Sequence, residues 1–166
     1  QQPKSAIAAF LRCVEMDPSF DDAYNNLGEV LFETGALSEA EVAYRRTLEL
    51  KPDQHKAHFQ LGNVYYLLGQ LELAIISYHQ CHHLHPMFVD AYNNLAAVLI
   101  EMDRPFEAES VSRNAIRMHV GSAAAHYNLG LALLLQGQLQ DARKSIIRAR
   151  DLGQHPSREV AIELGL

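Results

Sequence analysis

Tryptophan is absent from the chain, and only two cysteines, Cys13 and Cys81, occur in 166 residues. Two are too few for a disulfide framework. Positive charge is also scarce. Fourteen Lys and Arg stand against twenty Asp and Glu, a formal net charge of -6. That balance argues against a broad electrostatic footprint for DNA or RNA. The densest apolar run, Leu129 to Leu135, falls far short of the roughly 18 residues that cross a bilayer. No nucleic-acid and no membrane partner is therefore expected. No secretory leader is expected from these residues, unless a cut start has removed one. The chain starts at Gln1 rather than Met, and a processed or cut start is expected. Catalytic signatures are missing too: there is no Gly-rich loop ending in Gly-Lys-Ser/Thr, no GxSxG elbow and no HExxH. The expectation is a chain with no chemistry of its own, no cofactor and no resident metal.

What is present is periodicity. Leu27-Gly28 recurs as Leu61-Gly62, Leu95-Ala96 and Leu129-Gly130, each step being 34 residues. Three residues before each Leu stand Tyr24, His58, Tyr92 and His126. Ala6, Ala40, Ala74, Ala108 and Ala142 keep the same step. So do Pro18, Pro52 and Pro86, with Val120 fourth, and Gly35, Gly69 and Gly137, with Asp103 third in order. Several independent columns sharing one period mark a repeat architecture.

Each unit reads as two helices. Ala57, His58, Leu61, Gly62, Val64 and Tyr65 follow the spacing of one helical face. Gly69 ends that helix, because glycine accepts the left-handed C′ conformation without a Cβ penalty. The second helix is expected from about Leu71 to Leu84, with Pro86 just beyond it. Ser38 and Glu41 have capping-box spacing at the start of the second helix of the preceding unit. The Gly/Ala columns lie where two helices must approach closely. One pair cannot bury its apolar face alone, so stacked pairs share a continuous core.

These residues resemble the tetratricopeptide repeat. Its 34-residue pattern of aromatic, Leu-Gly, Tyr, Ala, aromatic and Pro is met here by Leu61-Gly62, Tyr65, Ala74, Tyr78 and Pro86. Departures are His58 and His126 at the first aromatic, Ser112 and Ile146 at the second, and Val120 and Gln154 at the proline. The resemblance implies an all-α fold, a right-handed superhelical solenoid of antiparallel helix pairs. Residues 1–20 then hold the second helix of a truncated repeat. Four complete repeats follow at 21–54, 55–88, 89–122 and 123–156, and 157–166 begin a further repeat helix. A piece of a longer array is expected from both ends. Cys13 and Cys81 fall in one small core column, two units apart, so they should not bond. Two buried reduced thiols fit a reducing, cytoplasmic compartment.

The resemblance further implies that the first helices line a concave groove which takes an extended peptide. The column before each Leu reads Asn26, Gln60, Asn94, Asn128, with Asn25 and Asn93 beside two of them. Asparagine is a mediocre helix former, so its recurrence in mid-helix requires a reason. An amide ladder offers donors and acceptors to a peptide backbone whatever its side chains. The alternative is local bonding between repeats. Candidate groove residues also include Glu29, Lys56, Phe59, Asn63, Tyr66 and Tyr127, the aromatics being anchors of the kind enriched at hot spots. Lys56 is outnumbered by Asp22, Glu29, Glu33, Asp90 and Glu101, so a neutral to basic protein segment is the expected partner. The ladder is similar to the arrays attached to O-GlcNAc transferase and to long bacterial arrays. A second reading is therefore a substrate-recognition arm of a glycosyltransferase, and a third, from the open repeat ends, is self-association. His79, His82 and His83 share one helical face. They are expected to be a histidine-rich surface, with a metal site as the alternative. His58 and His126 are expected to be hydrogen-bonded packing residues.

Overall fold

The computed structural model describes residues 2–166, and no strand occurs among them. The helices are α1 (Gln2–Met16), α2 (Asp21–Glu33), α3 (Leu37–Leu50), α4 (His55–Leu67), α5 (Leu71–Leu84), α6 (Val89–Glu101), α7 (Pro105–Met118), α8 (Ala123–Leu135), α9 (Leu139–Asp151) and α10 (Arg158–Leu164). Starts of α2, α4, α6 and α8 advance by 34 residues, as do those of α3, α5, α7 and α9. Two compact units result, residues 2–86 and 87–166. In the first, α2 packs on α3, α4 on α5, and α3 on α4, with α1 against α2. In the second, α6 packs on α7, α7 on α8 and α8 on α9, with α10 against α9.

Volume complementarity holds each pair together. Ala40, Ala74, Ala108 and Ala142 are fully buried. A Cβ at Gly28 would lie 2.8 Å from the Tyr44 ring, and one at Gly62 would lie 2.6 Å from the Tyr78 ring. One at Gly130 would meet Ile146 at 2.6 Å. In the unit where the glycine becomes Ala96, the facing residue shrinks to Ser112, which is also buried. The added methyl is thus matched by a lost ring, as close packing demands. The departures at Ser112 and Ile146 are therefore accommodated by their own partners.

Turns repeat as faithfully as helices. After α2, α4, α6 and α8 the chain takes a left-handed residue: Gly35, Gly69, Asp103 and Gly137, with φ of 77, 72, 54 and 73°. The following N–H then bonds back to the last turn, as in Ala36 N to Leu31 O at 2.9 Å and Arg104 N to Leu99 O at 2.8 Å. This satisfies carbonyls the helix end would orphan. At Asp103 a side chain bears a conformation that costs other L-residues about 1–2 kcal/mol. After α7, Val120 replaces proline without changing the break. The helix-capping residue His119 has φ -141° and ψ 91°, close to Lys51 at -142° and 85°.

Two expectations are corrected. Ser38 does not cap α3. That helix starts at Leu37, behind Ala36, which makes no side-chain cap, because the turn at Gly35 feeds directly into it. Glu41 instead pairs with Arg45 at 3.4 Å and accepts a hydrogen bond from the Tyr65 hydroxyl at 3.5 Å. Cys81 is buried, but Cys13 is exposed. The column faces the first helix of its own pair, and α1 has none preceding it among the described residues. Both thiols are free.

Candidate functional site

In the first unit, α2 and α4 place most of the candidate residues on one side. Asn26 and Glu29 of α2 are exposed, as are Lys56 and Tyr66 of α4; Asn25, Phe59, Gln60 and Asn63 are half-buried. A polar chain runs through α4. The Tyr78 hydroxyl donates to Asn63 Oδ1 at 2.8 Å, and Asn63 Nδ2 donates to Gln60 Oε1 at 2.8 Å. Phe59 leans on Tyr78, with ring centroids 5.9 Å apart, so it is part packing residue and part surface. One repeat earlier, Tyr44 takes the place of Tyr78 and Glu29 that of Asn63. The buried Tyr44 hydroxyl has no hydrogen-bond partner. The Gln60 amide lies nearby without reaching hydrogen-bond geometry. Burial first, then the Glu29 and Glu33 carboxylates, raise the pKa of this hydroxyl.

In the second unit, α6 and α8 carry the other rungs. Asn128 is buried, and its Nδ2 donates to the Asn93 carbonyl at 2.8 Å. Asn93 Nδ2 donates to Ser122 Oγ at 3.3 Å, while Asn93 Oδ1 is buried without a partner. Ser122 also caps α8, accepting from Ala125 N at 3.2 Å. At Asn128 the amide is thus spent between repeats. Asn94 and Tyr127 are half-buried, Tyr127 against a cluster of Leu129, Leu133 and Ile146. The ladder is therefore uneven: exposed at Asn26, half-buried at Gln60 and Asn94, internal at Asn128.

Charge on these helices is one-sided. Helices α2, α4, α6 and α8 carry Asp21, Asp22, Glu29, Glu33, Asp90 and Glu101 against Lys56. Only Asp21 is visibly engaged, accepting from Gln54 Nε2 at 2.5 Å and lying 3.9 Å from Lys51 Nζ. His58 and His126 do not face this acidic surface as bases. Each Nε2 donates to a loop carbonyl at 3.0 Å, that of Pro52 and that of Val120 respectively. A carbonyl only accepts, so each ring keeps its proton on Nε2. Both are the hydrogen-bonded packing residues expected. On α5, His79 Nδ1 and His82 Nε2 lie 2.8 Å apart and bond to each other. Among the described residues, no three His, Cys, Asp or Glu side chains converge on a point suited to a metal. The hydroxyl of Tyr44 was missed from sequence. Its signal was Tyr rather than Phe in a buried column, since a buried hydroxyl requires a partner.

Four family models match the chain. One, described as TPR repeat, covers residues 28–69. Three, described as tetratricopeptide repeat, cover 93–156, 9–42 and 56–86. This chain is a tetratricopeptide-repeat protein. Repeats of this family build protein-interaction scaffolds. No curated protein matches the sequence. Solved structures match the tetratricopeptide array along most of its length. YrrB, described as a TPR protein with an unusual peptide-binding site, is 22% identical, with a TM-score of 0.85 over 99% of this chain and 84% of that one. MamA is 22% identical, with a TM-score of 0.84 over 88% and 85%. PilF of Pseudomonas aeruginosa is 18% identical, with a TM-score of 0.80 over 99% and 85%. At such identities the likeness speaks for the repeat fold, an all-α solenoid of helix pairs. None of the tetratricopeptide helices described is long and apolar enough to cross a membrane.

Proposed function

We propose that the first-helix face of each unit holds an extended, neutral to basic segment of a partner protein, without chemistry of its own. The observation that carries this reading is hydrogen-bonding capacity that the fold leaves unspent on that side. Asn26 is exposed with no internal bond, and Asn25 and Gln60 are half-buried on the same side. Such amides are held by water in the free protein and can exchange that water for a peptide backbone. An extended backbone supplies matching N–H and C=O groups. Acidic side chains at Glu29, Glu33, Asp90 and Glu101 disfavour acidic segments by like-charge repulsion and favour basic ones. Phe59, Tyr66 and Tyr127 supply apolar contact beside the amides. The peptide-binding description of YrrB supports this reading from a relative of the same fold.

Selection from a displayed random peptide library tests it. Asn26→Ala, Gln60→Ala and Asn94→Ala together leave the buried Asn128 bond intact. The triple variant should keep its helical circular dichroism and lose the selected peptides by about tenfold or more. Glu29→Lys with Glu33→Lys should shift selection away from basic sequences. Equal binding by the wild type and the triple variant would contradict the proposal.

A further inference from the structure

Within each unit, the side opposite the first-helix face carries a second surface, and it differs between units. Consecutive second helices leave a groove between them, floored by the first helix they enclose. Three such grooves recur at the same place in the repeat. One of about 820 Å³ lies between α1 and α3, one of about 440 Å³ between α3 and α5, and one of about 600 Å³ between α7 and α9. The first two are lined by apolar side chains with charges of both signs, including Val42, Glu39 and Glu49 in one and Ile76 and Glu41 in the other. The third is lined by Arg113, Arg117, Lys144 and Arg148 and by no acidic residue, over a floor that includes Ile116 and Leu129.

The change is specific by position. Lys144 occupies the groove position of Val42 and Ile76, and Arg117 the repeat position of Glu15 and Glu49. A hydrophobe has become a cation and a carboxylate has reversed sign, in a chain whose net charge is -6. Two of the four cations have acidic neighbours outside the lining. Arg113 pairs with Glu109 at 2.8 Å and Lys144 with Asp141 at 2.8 Å. Arg117 meets only the Asn114 amide oxygen, and Arg148 has no acidic partner among the described residues. Cations near helix C-termini complement the helix dipole, which accounts for Arg117 and Arg148 singly. It does not account for all four facing one groove, where like charges repel.

We infer that the groove between α7 and α9 docks an acidic peptide segment of a partner protein, rich in Asp and Glu. Its carboxylates pair with Arg117 and Arg148, and its aliphatic stems rest on Ile116 and Leu129. Guanidinium groups suit this role because they bind carboxylates bidentately. The surface lies across the helix pair from the amide face and has the opposite charge preference, so it stands or falls apart from that reading.

The test uses the full chain and a fluorescein-labelled hexaglutamate peptide, read by fluorescence anisotropy at about 50 mM and about 300 mM salt. Wild type should bind, and binding should weaken at the higher salt. Arg117→Glu with Arg148→Glu should weaken it about tenfold or more. The neutral pair Arg117→Gln with Arg148→Gln should weaken it in the same direction and guards against a folding defect in the reversal variant. Arg143→Glu with Arg150→Glu changes the net charge equally, with both residues on α9 but outside the lining. It should cost about twofold or less. No binding at low salt, or equal loss in this control, overturns the proposal. So does a single-stranded oligonucleotide that competes more tightly than the peptide. Self-association of the chain that the groove variants abolish would assign the groove to a second copy and likewise overturn it.

Discussion

Gly62→Ala puts the packing account at greatest risk. A Cβ at Gly62 would sit 2.6 Å from Tyr78 Cε1 and 2.8 Å from Cδ1. An ordinary van der Waals contact begins near 3.4 Å, so the ring or the helix must give by most of an ångström. The ring is poorly placed to do so. Tyr78 is 1% exposed, and its hydroxyl is tied to Asn63 Oδ1. Overpacking of this kind costs about 1–3 kcal/mol. Replacing glycine by alanine inside a helix returns about 0.5–1 kcal/mol. The net expectation is a loss of about 1–2 kcal/mol, although alanine is the better helix former. The sign should reverse when the ring is removed. In a Tyr78→Ser background, which copies the Ala96 and Ser112 pair, Gly62→Ala should stabilise by about 0.5–1 kcal/mol. The cycle would therefore show a coupling of about 2–3 kcal/mol. Urea titration followed by helical circular dichroism reads all four proteins, with the slope held constant across the cycle. A Gly62→Ala protein as stable as wild type, or a substitution effect of the same sign in both backgrounds, would refute the reasoning.

Asp103→Gly should stabilise the second unit by about 0.5–1 kcal/mol, because Asp103 alone among the four equivalent turn residues holds a positive φ without being glycine; thermal denaturation measures it. Burial, then the neighbouring His85 and Lys56, lowers the pKa of His55 below its ordinary 6.5, and burial, then His79, lowers that of His82. The unfolded chain therefore binds these protons more readily than the folded one. Their contribution to stability is complete above about pH 6.5 and is lost as pH falls through the depressed folded values. The urea midpoint should decline from pH 7 toward pH 5.5, and His55→Gln with His82→Gln should flatten the decline. Burial pushes the Cys81 thiol up to about 12, while Cys13 is exposed. A disulfide reagent should accordingly label one thiol in the folded protein and the second only after unfolding.

Much of this architecture was legible because a repeat states its rule several times. Leu27, Leu61, Leu95 and Leu129 are all buried, and each helix start can be counted forward from the last. Residue spacing could not reveal where side chains turn. Asn128 and Asn26 share a column, yet one amide bridges to the Asn93 carbonyl and the other faces outward. The bridge spans 35 residues, a diagonal between repeats that columns do not display. Ser38 and Glu41 had the spacing of a capping box, but the turn at Gly35 fixed the helix start one residue ahead of Ser38. Cys13 shares the Cys81 column and lacks the helix that buries Cys81. The cationic groove leaves no contiguous signal in the sequence. Its residues come from α7 and α9, about thirty positions apart, and meet only when second helices stack.

The central claim is that the first-helix face is the working surface. Amide chemical-shift mapping of the labelled chain, titrated with a library-selected peptide, tests it most directly. The account predicts that the largest shifts cluster on α2, α4, α6 and α8, at Asn25, Asn26, Gln60, Asn63, Asn93 and Asn94, while α3, α5, α7 and α9 move little on their outer sides. Shifts concentrated on the outer sides of those second helices, or confined to α1 and α10, would contradict it.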